Sequence, residues 1–191
     1  MNGVRRRRNM VISPLWLQGA ILTIVASFAA MAYLAVTIYH DRPPIPDKVV
    51  DPAQRAVFTG ADVRAGQGVF EKYGLMEQGS IFGHGAYLGP DFTAEYLHAQ
   101  VVDMAKQYGP SSSPQGVTPE EQVARRLHQN RCSLDTGVLA FTDGQASAFD
   151  SRAAFYTARF NSPKGADIVP PAYIGDPMEL HQLTSYFAWS A

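Results

Sequence analysis

Three side chains near the middle of the chain are of types that ligate metals: His84, Asp91 and His98. Imidazole and carboxylate are usual ligands for transition metals. No H-E-x-x-H or H-x-H pair sharpens that pattern, so hydrogen-bonded structural roles are the plainer expectation for both histidines. The surrounding stretch Gly74–Pro90, GLMEQGSIFGHGAYLGP, holds five glycines and reads as a loop whose backbone turns tightly or approaches a partner. It contains no G-K-[ST] and follows no strand pattern, which excludes a phosphate-binding loop, and Ser80 does not sit in G-x-S-x-G. Oxygen donors here suit Ca²⁺, although no EF-hand loop is present. The single cysteine, Cys132, excludes an intrachain disulfide and a C-x-x-C-H haem attachment, and reads as a small buried hydrophobe. His40, His128 and His181 are isolated and read as surface or interface groups.

The elements that must position this loop are mainly helical. Met10 to Tyr39 carries no charged residue and follows Arg5, Arg6, Arg7 and Arg8. A bilayer core of roughly 30 Å needs about 20 apolar residues, so the run spans one with some tilt. Trp16 and Tyr39 stand where interfacial anchors belong. The arginines favour a cytoplasmic N-terminus, with the remainder on the outer face. A cleaved signal peptide is the rival, with Ala30-Met31-Ala32 as its small-residue site. The apolar run continues well past that point, which favours an uncleaved anchor. Residues 47–191 hold 11 basic and 16 acidic groups, without a basic stripe, which argues against nucleic acid.

The expected organisation is a basic cytoplasmic segment 1–9, a transmembrane helix 10–39, a proline-stiffened stalk 40–58, a helical domain 59–175 and a final helix 176–191. Helices are predicted over 60–72, 93–108, 119–129 and 143–160. Thr59, Thr93, Thr118 and Thr142 are their candidate N-caps. Ala94, Leu97, Val101, Met104, Ala105 and Tyr108 predict the apolar stripe of the second of these. A small hairpin turning at Asp135-Thr136-Gly137 is predicted, with no convincing larger sheet. Asp176-Pro177-Met178-Glu179 opens the last helix, which runs to Ala191 without a terminator. Such an ending predicts a cut polypeptide or a helix that needs a neighbour.

The stretch GQGVFEKYGLMEQGSIFGHGAYLGPDFTAEYLH, Gly66 to His98, resembles the N-terminal region of the quinol-dependent, single-subunit nitric oxide reductases. That resemblance implies one membrane helix, then an outward-facing cytochrome-c-like domain without haem, then the opening of a second span. In the haem-bearing small subunit of related cytochrome-linked reductases, a C-x-x-C-H-T-I-L-G-E-G-A-Y run attaches haem. Leu75 and Gln78 stand at the two cysteine positions here, and Gly79 at the axial histidine. Gly83-His84-Gly85-Ala86-Tyr87 follows the end of the run.

The resemblance also implies Ca²⁺ between this domain and a catalytic core, with the Gly85 carbonyl and the Tyr87 oxygen as ligands. Calcium accepts neutral oxygens, and carboxylates and haem propionates on the larger part would balance its charge. Gly83, His84, Asp91 and His98 then have interface or structural roles, with Asp91 expected to cap the following helix. Haem b, haem b3, the non-haem iron and quinol are implied only for a catalytic multi-helix portion, whose histidines and channel glutamates are not among these residues. This chain alone is therefore expected to be inactive, with a bacterial inner-membrane location. The competing expectation is an anchored extracytoplasmic binding or assembly protein without a redox role.

Overall fold

The computed structural model describes residues 13–40, 43–86, 88–108, 117–133, 135–165 and 169–191. The chain divides into two compact units, one ending at Pro44 and the other Ile45–Ala191. The first holds helix α1, Pro14–His40, which is long and apolar enough to cross a membrane, with mean hydropathy 2.2. Pro14 opens it in the first turn, where a missing N–H is harmless. None of its residues is buried within the chain. Its Ser and Thr hydroxyls need no outside partner: Thr23, Ser27 and Thr37 donate to the Gly19, Thr23 and Tyr33 carbonyls at 2.8–3.0 Å. Such back-bonding suits a hydrocarbon environment, where an unsatisfied polar group is expensive. The expected segment 1–9 lies outside the described residues.

The second unit is mainly helical. Helix α2, Gly60–Lys72, starts at a capping box in which Thr59 and Asp62 satisfy each other's backbone N–H groups. Helix α3 is Phe92–Tyr108, α4 is Pro119–Leu127, α5 is Asp143–Phe160 and α6 is Pro177–Ser190. Thr118 with Glu121 and Thr142 with Gln145 form two further capping boxes, as their spacing predicts. Asp176 caps α6, but Glu179 bonds Lys72 at the end of α2 and Tyr73, the residue that follows it, instead of closing a box.

The sheet departs from expectation. Strands β1 (Lys48–Val50), β2 (Ala56–Thr59), β5 (Cys132–Ser133) and β6 (Val138–Ala140) form a four-stranded sheet ordered β2-β1-β6-β5. A separate two-stranded ribbon joins β3 (Ser80–Ile81) to β4 (His84–Gly85). β1 pairs antiparallel with β2 and parallel with β6. The stretch expected as a stalk therefore contributes two strands, and Val49, Val50 and Phe58 join the core. The predicted hairpin forms between β5 and β6.

The core is an aromatic stack around α6. Phe187 lies parallel to Phe92, with ring centroids 4.7 Å apart, and meets Tyr156 at 5.0 Å. Phe70 and Phe160 close the cluster. Aromatic pairs at such spacings add to the stabilisation of area burial. α6 is buried nearly all round, Leu183 through Phe187 without interruption. Its polar side chains permit this by bonding within the helix: Thr184 and Ser185 donate to Leu180 and His181 carbonyls, both at 2.8 Å. α2 meets α6 backbone to backbone at Gly66, where a Cβ would lie 2.0 Å from the Gln182 carbonyl oxygen. On α3 the buried face is Phe92, Tyr96, Gln100 and Met104. Of the expected stripe Met104 is buried and Val101 and Ala105 half-buried, whereas Ala94 and Leu97 are exposed, so the stripe holds in the second half of the helix and shifts in the first. Ion pairs tie α3 to α5, Glu95 with Arg159 at 3.0 Å and Asp103 with Arg152 at 3.2 Å.

Candidate functional site

The glycine-rich loop is a folded object. After α2, Gly74 takes a left-handed conformation and a single 3₁₀ turn, Leu75–Glu77, follows. Leu75 is fully buried. The chain then forms the β3–β4 ribbon, turning through Phe82 and Gly83, and returns so that the Ser80 N–H donates to the Pro90 carbonyl at 3.0 Å. The Ala86 N–H donates to the Met76 carbonyl at 2.8 Å. Backbones approach so closely that side chains are excluded at Gly89, where a Cβ would sit 1.8 Å from the Gln78 carbonyl oxygen. Gly79 is as confined: a Cβ there would meet the Pro90 oxygen at 2.5 Å and the Phe92 ring at 2.6 Å.

Asp91 holds this arrangement together. One carboxylate oxygen accepts from the Ser80 hydroxyl at 2.7 Å and the Gly83 N–H at 2.6 Å; the other accepts from the Ala94 N–H at 2.9 Å. It thus caps α3 and pins the ribbon in one stroke. Burial works to raise its pKa, but hydrogen bonds from Ala94, Ser80, Gly83 and Thr93 outweigh that and hold it below the ordinary value. Donors already occupy both oxygens, which favours a structural carboxylate over a metal ligand. Thr93 extends the network: its Oγ1 accepts from the Phe82 N–H at 3.2 Å and donates to Ser190 Oγ at 3.1 Å, in the last turn of α6.

Gly83 joins Asp91 through its N–H, but the two histidines do not join them. His84 lies exposed on β4 and His98 exposed on α3. Among the described residues no group of three His, Cys, Asp or Glu side chains could hold a metal ion. Gly83 and Gly85 are placed in the ribbon, both with positive φ, whereas Tyr87 lies outside the described residues. Thr93, expected to cap α3, lies inside it, and Asp91 holds the cap instead. Sequence reasoning missed Thr93 as a bridge to α6 and the left-handed Phe82. Neither carries a local signal, since one depends on a distant helix and the other lacks the usual Asn-Gly signature of its turn.

An open cavity of about 350 Å³ lies elsewhere, lined in part by Asp51, Arg55, Phe149, Asp150 and His181. The Asp51 carboxylate is taken by Arg55, through its backbone N–H at 2.9 Å and its guanidinium at 2.7 Å. Nothing in the cavity presents a free buried acid.

Residues 46–191 match the NorB cytochrome c-like domain family of the nitric oxide reductases. The chain belongs to that family. The match coincides with all but the first residue of the second compact unit and includes the whole loop from Gly74 to Asp91. A comparison with curated proteins finds no match. Membership in the NorB family makes the chain a component of a larger nitric oxide reductase, and α1 is consistent with a membrane anchor for it.

Proposed function

We propose that this chain is the anchored, non-catalytic extracytoplasmic portion of a quinol-type nitric oxide reductase, docking on and bracing the haem and non-haem iron core. The whole enzyme would convert two NO, two electrons and two protons to N₂O and water, as in denitrification. Haem b, haem b3 and non-haem iron would supply the one-electron chemistry in the catalytic portion, and quinol would reach them through it. The N-terminal arginines would stay cytoplasmic and the loop would face outward from the bacterial inner membrane.

Gly79 carries this reading. At the position of the axial histidine in the haem-bearing relatives, even a methyl group would collide with the Pro90 carbonyl and the Phe92 ring. Phe92 in turn stacks on Phe187, so aromatic carbon occupies the space beside that position. Leu75, at the first cysteine position, is packed into the same core. The domain keeps a cytochrome-c-like loop while its interior is filled by side chains, which supports a scaffold role over electron transfer.

Ca²⁺ at the docking face fits the same picture. Gly85 and Tyr87 would offer neutral oxygens only, and the Asp91 carboxylate is committed to N–H and O–H donors, so charge balance would have to come from the partner. Haem staining and visible absorption of the chain purified in mild detergent test the proposal. A colourless, inactive chain is expected. Covalent haem on it, or NO consumption by it alone, would defeat it, as would protease protection of the Gly79–Asp91 loop on the cytoplasmic side.

A further inference from the structure

We propose that Phe82 is a preset aromatic anchor that seats in the membrane-embedded catalytic portion of the reductase; this deepens, and rests on, the docking role proposed above. Phe82 and Gly83 are the two central residues of the turn between β3 and β4, with φ of 52° and 75°. Both positions are left-handed, the type I′ geometry that Asn-Gly fills most readily. A bulky residue at positive φ is an outlier whose conformation the surroundings must impose. Here they do: Thr93 accepts the Phe82 N–H, and Asp91 accepts the Gly83 N–H.

Core packing does not explain the choice of residue. Phe82 is 53% exposed, and among the described residues its ring makes one edge-on contact, with Trp189 at 6.3 Å. Met76 and Leu88, in the same loop cluster, are also exposed, Leu88 at 84%. An apolar tip is thus held in a strained, hydrogen-bonded frame that Thr93 ties to the last turn of α6. Rigid presentation of an aromatic side chain is what a shaped protein pocket rewards, because little freedom remains to be lost on docking.

A lipid surface fits less well. A fluid interface rewards apolar area in any orientation, and attraction to anionic headgroups needs cations. Gly74 to Thr93 contains no Lys or Arg.

The test uses the full chain in mild detergent, titrated with the haem-bearing catalytic portion of the reductase, and in parallel with protein-free anionic liposomes. Phe82→Asn relieves the turn, so its unfolding midpoint should rise by a few degrees while association with the catalytic portion weakens about tenfold or more. Leu88→Gln should leave the midpoint unchanged and also weaken association. A lowered midpoint for Phe82→Asn, with association intact, would make Phe82 a structural residue and overturn the proposal. So would an equal loss of affinity for liposomes with none for the catalytic portion. If the wild-type chain itself fails to bind the catalytic portion, the docking role falls first and independently of Phe82.

Discussion

Gly66→Ala and Gly68→Ala, two residues apart on one helix, should change stability in opposite directions. A Cβ at position 66 would stand 2.0 Å from the Gln182 carbonyl oxygen, 2.6 Å from its carbon and 2.8 Å from Tyr186 Cβ. Ordinary contact is about 3.4 Å or more, so α2 and α6 would have to part by roughly 1.4 Å. The obstructing atoms are mainly backbone, which cannot rotate away. Separation would loosen Phe70 against Tyr186 and Phe187, whose ring centroids lie 5.8 and 6.2 Å away. Overpacking of this kind costs about 3 kcal/mol, offset by about 1 kcal/mol of helix propensity gained over glycine. A net loss of about 2 kcal/mol should lower the unfolding midpoint by about 6 °C for a domain of this size. At Gly68 nothing lies within 4 Å, so alanine there keeps the propensity gain and should raise the midpoint by about 2–3 °C. Thermal unfolding of the full chain in mild detergent, followed by fluorescence, reads both. A neutral or stabilising Gly66→Ala would refute the backbone contact between α2 and α6.

Asp91→Asn should destabilise the domain by about 1 kcal/mol, as cap losses do, and flatten its acid response. The Asp91 pKa is lowered on folding, so its contribution is complete above the ordinary value of 3.8 and fades as pH falls through the folded value. Acid titrations of the two proteins should diverge above that window and converge below it; parallel curves throughout would dismiss the role. Phe187→Ala, which removes the ring stacked on Phe92 at the centre of the core, should cost about 3–5 kcal/mol in chemical denaturation, and a cost below about 1 kcal/mol would misplace the core. Chelation of Ca²⁺ should lower the unfolding midpoint of the assembled reductase and leave the isolated chain unchanged, since two neutral oxygens alone hold the ion weakly. A calcium-dependent midpoint for the isolated chain would contradict a site shared with a partner.

Local chemistry was readable from the residues and long-range pairing was not. The capping boxes at Thr118 and Thr142 depend on residues three apart and form where their spacing places them, and Thr59 caps α2 as expected with Asp62 closing the box. Thr93 fails as a cap because Asp91 already holds that place. The turn at Asp135-Thr136-Gly137 is equally local. β1 escaped notice because three residues beside prolines carry no measurable alternation, and its parallel partner β6 lies far along the chain. The first half of α3 departs from its expected stripe, which Met104 keeps, because Phe92, Tyr96 and Gln100 and not Ala94 and Leu97 are buried there. In the loop, five glycines announced close backbone approach, and the contacts at Gly79 and Gly89 bear that out. What they could not announce was Phe82 in an asparagine's place, a choice that local folding does not favour.

The domain is proposed to carry no redox centre and to act only beside an iron-bearing neighbour. The most direct measurement is NO consumption by the tagged chain purified from membranes, before and after the haem-bearing catalytic portion is stripped away. Turnover with haem absorption in the complex, and neither in the stripped chain, is the predicted result. Turnover or haem retained by the chain alone would contradict it.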